Sequence, residues 1–300
     1  MQTVSPSSSL DVGRLPRRSL AKAGSALNVG RFPMFPLKTT TLPATAEDLA
    51  QALNDSLRSV FALAWDPAEV RDLAYPQLAA IEVSLDGAKL PGPPPAIPSL
   101  ASQPERALTV GSFNAGGRGI SIGPAALDFG LTATGVELFQ AKDTAGQITL
   151  LLHNAAHGRV EASVSKSDLE ALIAEVAKAE AGKHGVSIDS VQLSLRSQSP
   201  RSLAAEVRLR AKKLFLSAAL QITGQLDLDE ELNARISGLD CSGEGAIASV
   251  ACGVLKPHLE KLNGREFPLM SLPLGQVRLR DVRLAVGEKL SVTAEFGSSS

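Results

Sequence analysis

Gly243, Gly245 and Ala248 stand at the spacing of a G-x-G-x-x-A fingerprint just ahead of a helical stretch. That arrangement can bring main-chain N–H groups and a helix N-terminus to a phosphate. The flanking strands read as antiparallel, no βαβ unit is visible, and the segment after the helix is Pro-rich where a ribose-binding acid should stand, so these residues predict a tight turn and no cofactor. Gly116, Gly117, Gly119 and Gly123 do not fit the fingerprint and lead into a strand. His153 and His157, four apart, would offer two imidazoles to one metal only on a helix. Here a strand runs into an Ala-Gly turn, so they read as solvated histidines, and His184 and His258 read as surface residues without ligand partners. Asp227, Asp229, Glu230 and Glu231 carry the carboxylates needed for acid–base work or calcium, but a run of charges at a strand end predicts a solvated hairpin. The chain has no G-x-S-x-G, no P-loop and no Cys with an evident His partner. The reading is of a non-enzyme with no catalytic residue, no metal and no cofactor.

Composition narrows the partners. The 30 Lys and Arg against 31 Asp and Glu leave a formal net charge of -1, so no global field favours nucleic acid. Aromatic residues reach only 4%, too few to build stacking platforms for bases or sugars. Arg208, Arg210, Lys212 and Lys213, with Arg278, Arg280 and Arg283, could line up across one sheet face and make transient contact with an anionic membrane surface; Glu206 and Asp281 would balance an ordinary solvated face. Cys241 and Cys252 are too few for a disulfide framework or a closed zinc site, and read as small buried hydrophobes or one optional bridge. No window approaches the roughly 18 apolar residues of a membrane span. The expectation is a soluble, cytoplasmic chain. Residues 1–31, rich in Ser and Arg with Asp11 the sole acid, keep open an organelle-imported or envelope-associated alternative.

The elements that must carry any function are amphipathic. Thr45 and Asp48 stand at capping-box spacing before Leu49, Leu53, Leu57, Val60, Phe61 and Ala64, which predicts a helix with one buried face. Ile81, Val83 and Leu85 alternate with polar residues as a strand, and six prolines between Pro91 and Pro104 make an extended loop. From Leu108 to Val164, short strands separated by glycine turns predict an antiparallel meander. Ser167 and Glu170 open a helix whose Leu169, Leu172, Ile173 and Val176 recur at helical spacing. Strands follow with Leu203, Ala205, Val207, Leu209 and Ala211, then Leu214, Leu216, Ala218, Leu220 and Ile222, then Leu232, Ala234 and Ile236. A further helix from about 246 to 263 aligns Ile247, Val250, Ala251, Val254 and Leu255, with a kink expected at Pro257. Phase slips at Asp281 and between Ile188 and Val191 predict β-bulges.

Three phrases carry a family likeness: Tyr75-Pro76-Gln77-Leu78-Ala79-Ala80-Ile81-Glu82-Val83, the strand-to-helix stretch Ala162-Ser163-Val164-Ser165-Lys166-Ser167-Asp168-Leu169-Glu170-Ala171-Leu172-Ile173, and Phe267-Pro268-Leu269 followed by Leu272-Pro273-Leu274-Gly275-Gln276-Val277-Arg278-Leu279. Together, over roughly residues 70 to 296, the chain resembles the LmeA-like phospholipid-binding proteins of bacteria. The resemblance implies a tubular lipid-binding type of fold: an α+β architecture in which a strongly curved antiparallel β-sheet is wrapped around amphipathic helices and leaves an apolar groove. It implies phospholipid or another acyl lipid as partner, and no catalytic motif. On this reading residues 1–43 are a disordered or targeting tail, 44–296 are the lipid-binding α+β domain with its Pro-rich loop at 91–104, and 297–300 are a second tail. Leu169, Leu172, Ile173, Val176, Ile247, Val250, Val254 and Leu255 are the expected lipid-binding wall. The alternative is a structural or protein-interaction module in which the same surfaces pack fully. Neither reading specifies an oligomeric state.

Overall fold

The computed structural model describes residues 34–92, 98–182, 185–213, 216–269 and 276–298. In chain order the elements begin with β1 (Met34–Pro36), α1 (Ala46–Val60), β2 (Ala68–Ala74), β3 (Gln77–Ser84), β4 (Lys89–Leu90), β5 (Glu105–Ile122) and β6 (Ala125–Lys142). They continue with β7 (Ile148–Asn154), β8 (His157–Ser165), α2 (Lys166–Gly182), β9 (Ser187–Ser199), β10 (Ser202–Lys213) and β11 (Leu216–Leu228). Last come β12 (Asn233–Glu244), α3 (Ala246–Leu262), β13 (Glu266–Pro268), β14 (Val277–Val286) and β15 (Lys289–Ser298). A 10-stranded sheet runs β14-β15-β8-β6-β5-β3-β2, with β7 on β6, β1 on β7 and β4 on β5; a 5-stranded sheet runs β13-β12-β11-β10-β9.

This corrects the expected architecture of a strongly curved antiparallel sheet wrapped around amphipathic helices. Strands hold 60% of the structure and helices 18%, and the two sheets are comparatively flat and unclosed. The first is also not purely antiparallel, because β3 and β4 both pair parallel with β5. The physical reason is visible in the packing. Val282, Leu284 and Ala294 of β14 and β15 cover Leu203, Leu228 and Ala234 of the second sheet, so strand side chains do much of the covering that the sequence reading assigned to helices.

α1 starts where its sequence dictates but ends at Val60, with Phe61 already extended and Ala64 beyond the helix, short of the expected run. Thr45 Oγ1 accepts from the Asp48 N–H at 3.1 Å and donates to the Asp48 carboxylate at 2.8 Å, and Leu49, Leu53 and Leu57 enter the core of the first sheet. Asn54, also buried, donates through Nδ2 to the Ala68 carbonyl at 3.1 Å and accepts from the Ala68 N–H at 2.7 Å, tying the helix to β2. α2 is capped by Ser165 in place of the expected Ser167: Ser165 accepts from the Asp168 N–H at 3.0 Å and pairs with the Asp168 carboxylate, while Glu170 accepts instead from the Leu193 N–H of β9 at 2.7 Å.

The meander is also modified. β6 is long enough to serve two partners along one edge: Glu137–Lys142 pair with β7, and Leu127–Thr134 pair with β8. Gly135, at φ 58°, marks the division, where an added Cβ would lie 3.0 Å from that of Ala156 in the β7–β8 corner. Across the same point Val110 and Val136 are partners in the core, yet Ala133, partner of Phe113, is buried too, so both strands change face together. Residues 34–43, read as part of a tail, hold β1 on β7 and a fully buried Leu37, and β15 continues to Ser298. Of the Pro-rich segment, 93–97 lie outside the described residues, and Leu100 bridges to Asp143.

Candidate functional site

One face of the second sheet is apolar along its length. Directly opposed residues share a face in an antiparallel ladder. The opposed pairs Leu203 and Leu226, Ala205 and Gly224, Val207 and Ile222, Leu209 and Leu220, and Ala211 and Ala218 therefore form successive rungs of β10 and β11. Leu195, Leu193, Val191 and Ile188 of β9 extend these rungs on one side, and Ile236 and Cys241 of β12 on the other. The bulge expected between Ile188 and Val191 is present and keeps both residues on this face.

The face is covered by two separate clusters. At one end Leu203, Leu228, Leu232 and Ala234 pack on β14 and β15. At the other, Leu209, Ala218 and Leu220 lie under Ala177 of α2 and under Ala248, Ala251 and Cys252 of α3. α2 packs on β9 and α3 mainly on β12, so the two helices flank β10 and β11. Val207 and Ile222 pack at the edge of the second cluster and are only partly buried, and the Ala205–Gly224 rung beside them belongs to neither. Leu239 leans over Gly224, where a Cβ would come within 2.8 Å of its methyl group.

Of the expected wall, Leu169, Leu172 and Ile173 of α2 and Leu255 of α3 are partly buried, and Val176 is 65% exposed. Ile247, Val250 and Val254 lie on α3, and their side chains fall outside the described residues. Small residues, Ala177, Ala248 and Ala251, pack on the sheet, while Leu169, Leu172 and Ile173 of α2 and Leu255 of α3 are only partly buried. The signal was there in Gly243: a Cβ at this position would meet the Ala219 carbonyl oxygen at 2.5 Å and Ala248 Cβ at 2.7 Å. The G-x-G-x-x-A spacing thus serves close helix–sheet packing between antiparallel elements, with Gly245 at φ 89° turning the chain into α3.

The remaining polar candidates are spent on structure. Asp227 accepts from Ser202 at 2.6 Å and from Gln225 at 2.9 Å, and the Ser202 hydroxyl, then Gln225, hold its carboxyl below the usual value. Asp229 is held low first by the Asn233 side-chain amide and then by its N–H, as part of the β11–β12 turn. His153 stacks on Phe139 with ring centroids 3.9 Å apart, whereas His157 opens β8 and meets Arg280. The basic residues do not form one stripe: β10 and β14 belong to different sheets, Arg208 pairs with Glu206 at 2.7 Å and Arg283 with Asp281 at 2.6 Å. Cys241 and Cys252 are joined in a disulfide that ties β12 to α3. Among the described residues no group of three or more His, Cys, Asp or Glu could hold a metal ion, and no helix is long and apolar enough to cross a membrane.

No family model, curated protein or solved structure matches the chain.

Proposed function

We propose that the chain binds an acyl lipid along the apolar face of the second sheet, between α2 and α3, and acts by holding it and not by catalysis. The observation that carries this reading is the gap between the two clusters on one continuous aliphatic face. There the Ala205–Gly224 rung packs in neither cluster, and Val207 and Ile222 beside it, at the edge of the helix-covered cluster, are only partly buried. From Leu203 to Ala211 the face runs on the order of 25 Å at about 3.3 Å per residue, which suits an extended chain better than a compact ligand. Its lining is almost wholly aliphatic, and burial of an acyl chain there would contribute about 0.8 kcal/mol per CH₂. The likeness to the LmeA-like phospholipid-binding proteins points the same way. This reading does not require a curled sheet, since two flanking helices suffice as walls.

The Cys241–Cys252 disulfide favours residence in an oxidising compartment over the cytoplasm expected from the sequence, because thiols are kept reduced in the cytosol.

Native mass spectrometry of the purified protein, followed by solvent extraction, tests the reading. Stoichiometric acyl lipid is expected, and Val176→Arg, at an exposed site on α2, should reduce it with the melting temperature unchanged. Leu172→Arg should reduce it further. A lipid-free mass together with failure to take up a fluorescent fatty acid would instead favour the packed interaction module.

A further inference from the structure

The opposite side of the molecule's first sheet carries a polar cleft of about 330 Å³ that the apolar face does not explain. Two rows of directly opposed residues floor it. Ser112, Thr134 and His157 form one row across β5, β6 and β8; Asn114, Thr132 and Arg159 form the next, which continues to Glu295 on β15. The row between them, Phe113, Ala133, Gly158 and Phe296, points the other way into the core, as alternation requires.

Arg280 completes the cleft, and it gets there by a device of the backbone. β14 pairs Leu279 with Phe296 and Asp281 with Glu295, so Arg280 is the extra residue of a bulge. A bulge re-aims the side chain it carries. The guanidinium then lies over Gly297, where an added Cβ would sit 2.8 Å from Nη2 and 2.5 Å from the Ala156 carbonyl oxygen. It donates through Nη2 to the Ser298 carbonyl at 2.9 Å, and Nη1 lies 3.2 Å from His157 Nδ1. These contacts orient the group without neutralising it, since no carboxylate among the described residues pairs with it. A guanidinium has five N–H donors, so three remain for a ligand. Arg159 is shared between Glu161 at 3.4 Å and Glu295 at 3.9 Å. Arg159 is thus matched by carboxylates, and Arg280 is the guanidinium of the cleft with no carboxylate partner among the described residues, surrounded by hydroxyl and amide groups.

We propose that this cleft is a binding site for a phosphate group, with Arg280 as its principal donor. Planar, forked donors suit a tetrahedral oxyanion, and Ser112, Thr134 and Asn114 can supply neutral hydrogen bonds from the facing strands. The volume admits a phosphate together with a small polar group attached to it. The proposal is independent of the apolar face, which lies on the other sheet.

The test titrates the intact protein with inorganic phosphate, following backbone amide shifts of residues 157–159 and 295–298, and separately measures retention on phosphatidylcholine vesicles with and without phosphatidic acid. Arg280→Gln, at an exposed position, should leave thermal unfolding unchanged and weaken binding at least tenfold; Thr134→Val should weaken it less. Saturable phosphate binding lost in Arg280→Gln supports a soluble phosphorylated ligand. Vesicle retention that needs phosphatidic acid and is lost in Arg280→Gln supports a lipid headgroup. Failure of both ligands to bind, or binding that Arg280→Gln leaves intact, overturns the proposal.

Discussion

Leu232 has a left-handed backbone, φ 60°, and is at the same time 3% exposed. That conformation costs an ordinary residue roughly 1–2 kcal/mol, so something else must hold it. Two contributors are visible: Asp229, whose carbonyl accepts from the Leu232 N–H at 3.2 Å and whose carboxylate accepts from the Asn233 N–H at 2.7 Å, and the packing of the Leu232 side chain with Leu203, Leu228 and Val282. Leu232→Ala keeps the strain and loses the packing, and should destabilise by about 2–4 kcal/mol. Leu232→Gly loses the same packing but relieves the strain, so its stability should equal or exceed that of the alanine variant, the reverse of the usual order. Urea unfolding of the two variants decides this; a glycine variant weaker by about 1 kcal/mol or more would show that the turn is not strained. The charge run from Asp227 to Glu231 announces a hairpin here, but neither residue type nor periodicity announces the left-handed Leu232, which continues the apolar alternation into Ala234 and Ile236.

α3 shows how much of an element its own sequence can specify. Its limits, the glycine at φ 77° after its end, and its apolar side all follow from local pattern. What holds it to the sheet does not: the disulfide joins residues 11 apart, one on β12 and one a turn and a half into the helix. In the chain-entropy treatment, closing a loop of this size contributes about 3 kcal/mol. Replacing both cysteines by serine should lower unfolding stability by about that amount. Hydrogen exchange adds a sharper check. Amides of α3 should lose protection in the double variant while those of β5 and β6 keep theirs, since the described residues of α3 pack on the second sheet. Uniform loss of protection would mean that the crosslink acts on the whole fold.

Among the described residues the two sheets meet through an apolar contact, a backbone hydrogen bond from the Leu284 N–H to the Pro200 carbonyl at 2.7 Å and an ionic clasp. Arg201, in the turn between β9 and β10, donates to Asp281 of β14 at 2.9 Å, and Arg283 binds the other carboxylate oxygen at 2.6 Å. Arg201 first, and Arg283 next, hold the Asp281 carboxyl below its usual value. Asp128 is likewise held low, by Lys289 and then by the Gly119 N–H. A carboxyl whose value is lowered by folding adds stability above its unfolded value of about 4, and that stability is lost as pH falls through the lower folded value. Unfolding midpoints should therefore drop steeply below about pH 4, and Asp281→Asn should lower stability at neutral pH while flattening the acid limb. An acid limb as steep in Asp281→Asn as in the unaltered protein would remove this clasp from the account. What the sequence by itself determined was local: the alternating strands, three amphipathic helices within a residue or two at most ends, and both bulges, because periodicity and capping are properties of neighbours along the chain. Which surface covers which was decided only in three dimensions. Leu203 and Leu209 read alike in the strand pattern of β10, yet one packs on strands and the other under helices. Arg280 and Arg283 read alike as basic residues, yet a single bulge sends one into a cleft and leaves the other on a carboxylate. Such differences come from pairings between segments far apart in sequence, and alternation along a strand carries no information about its partner.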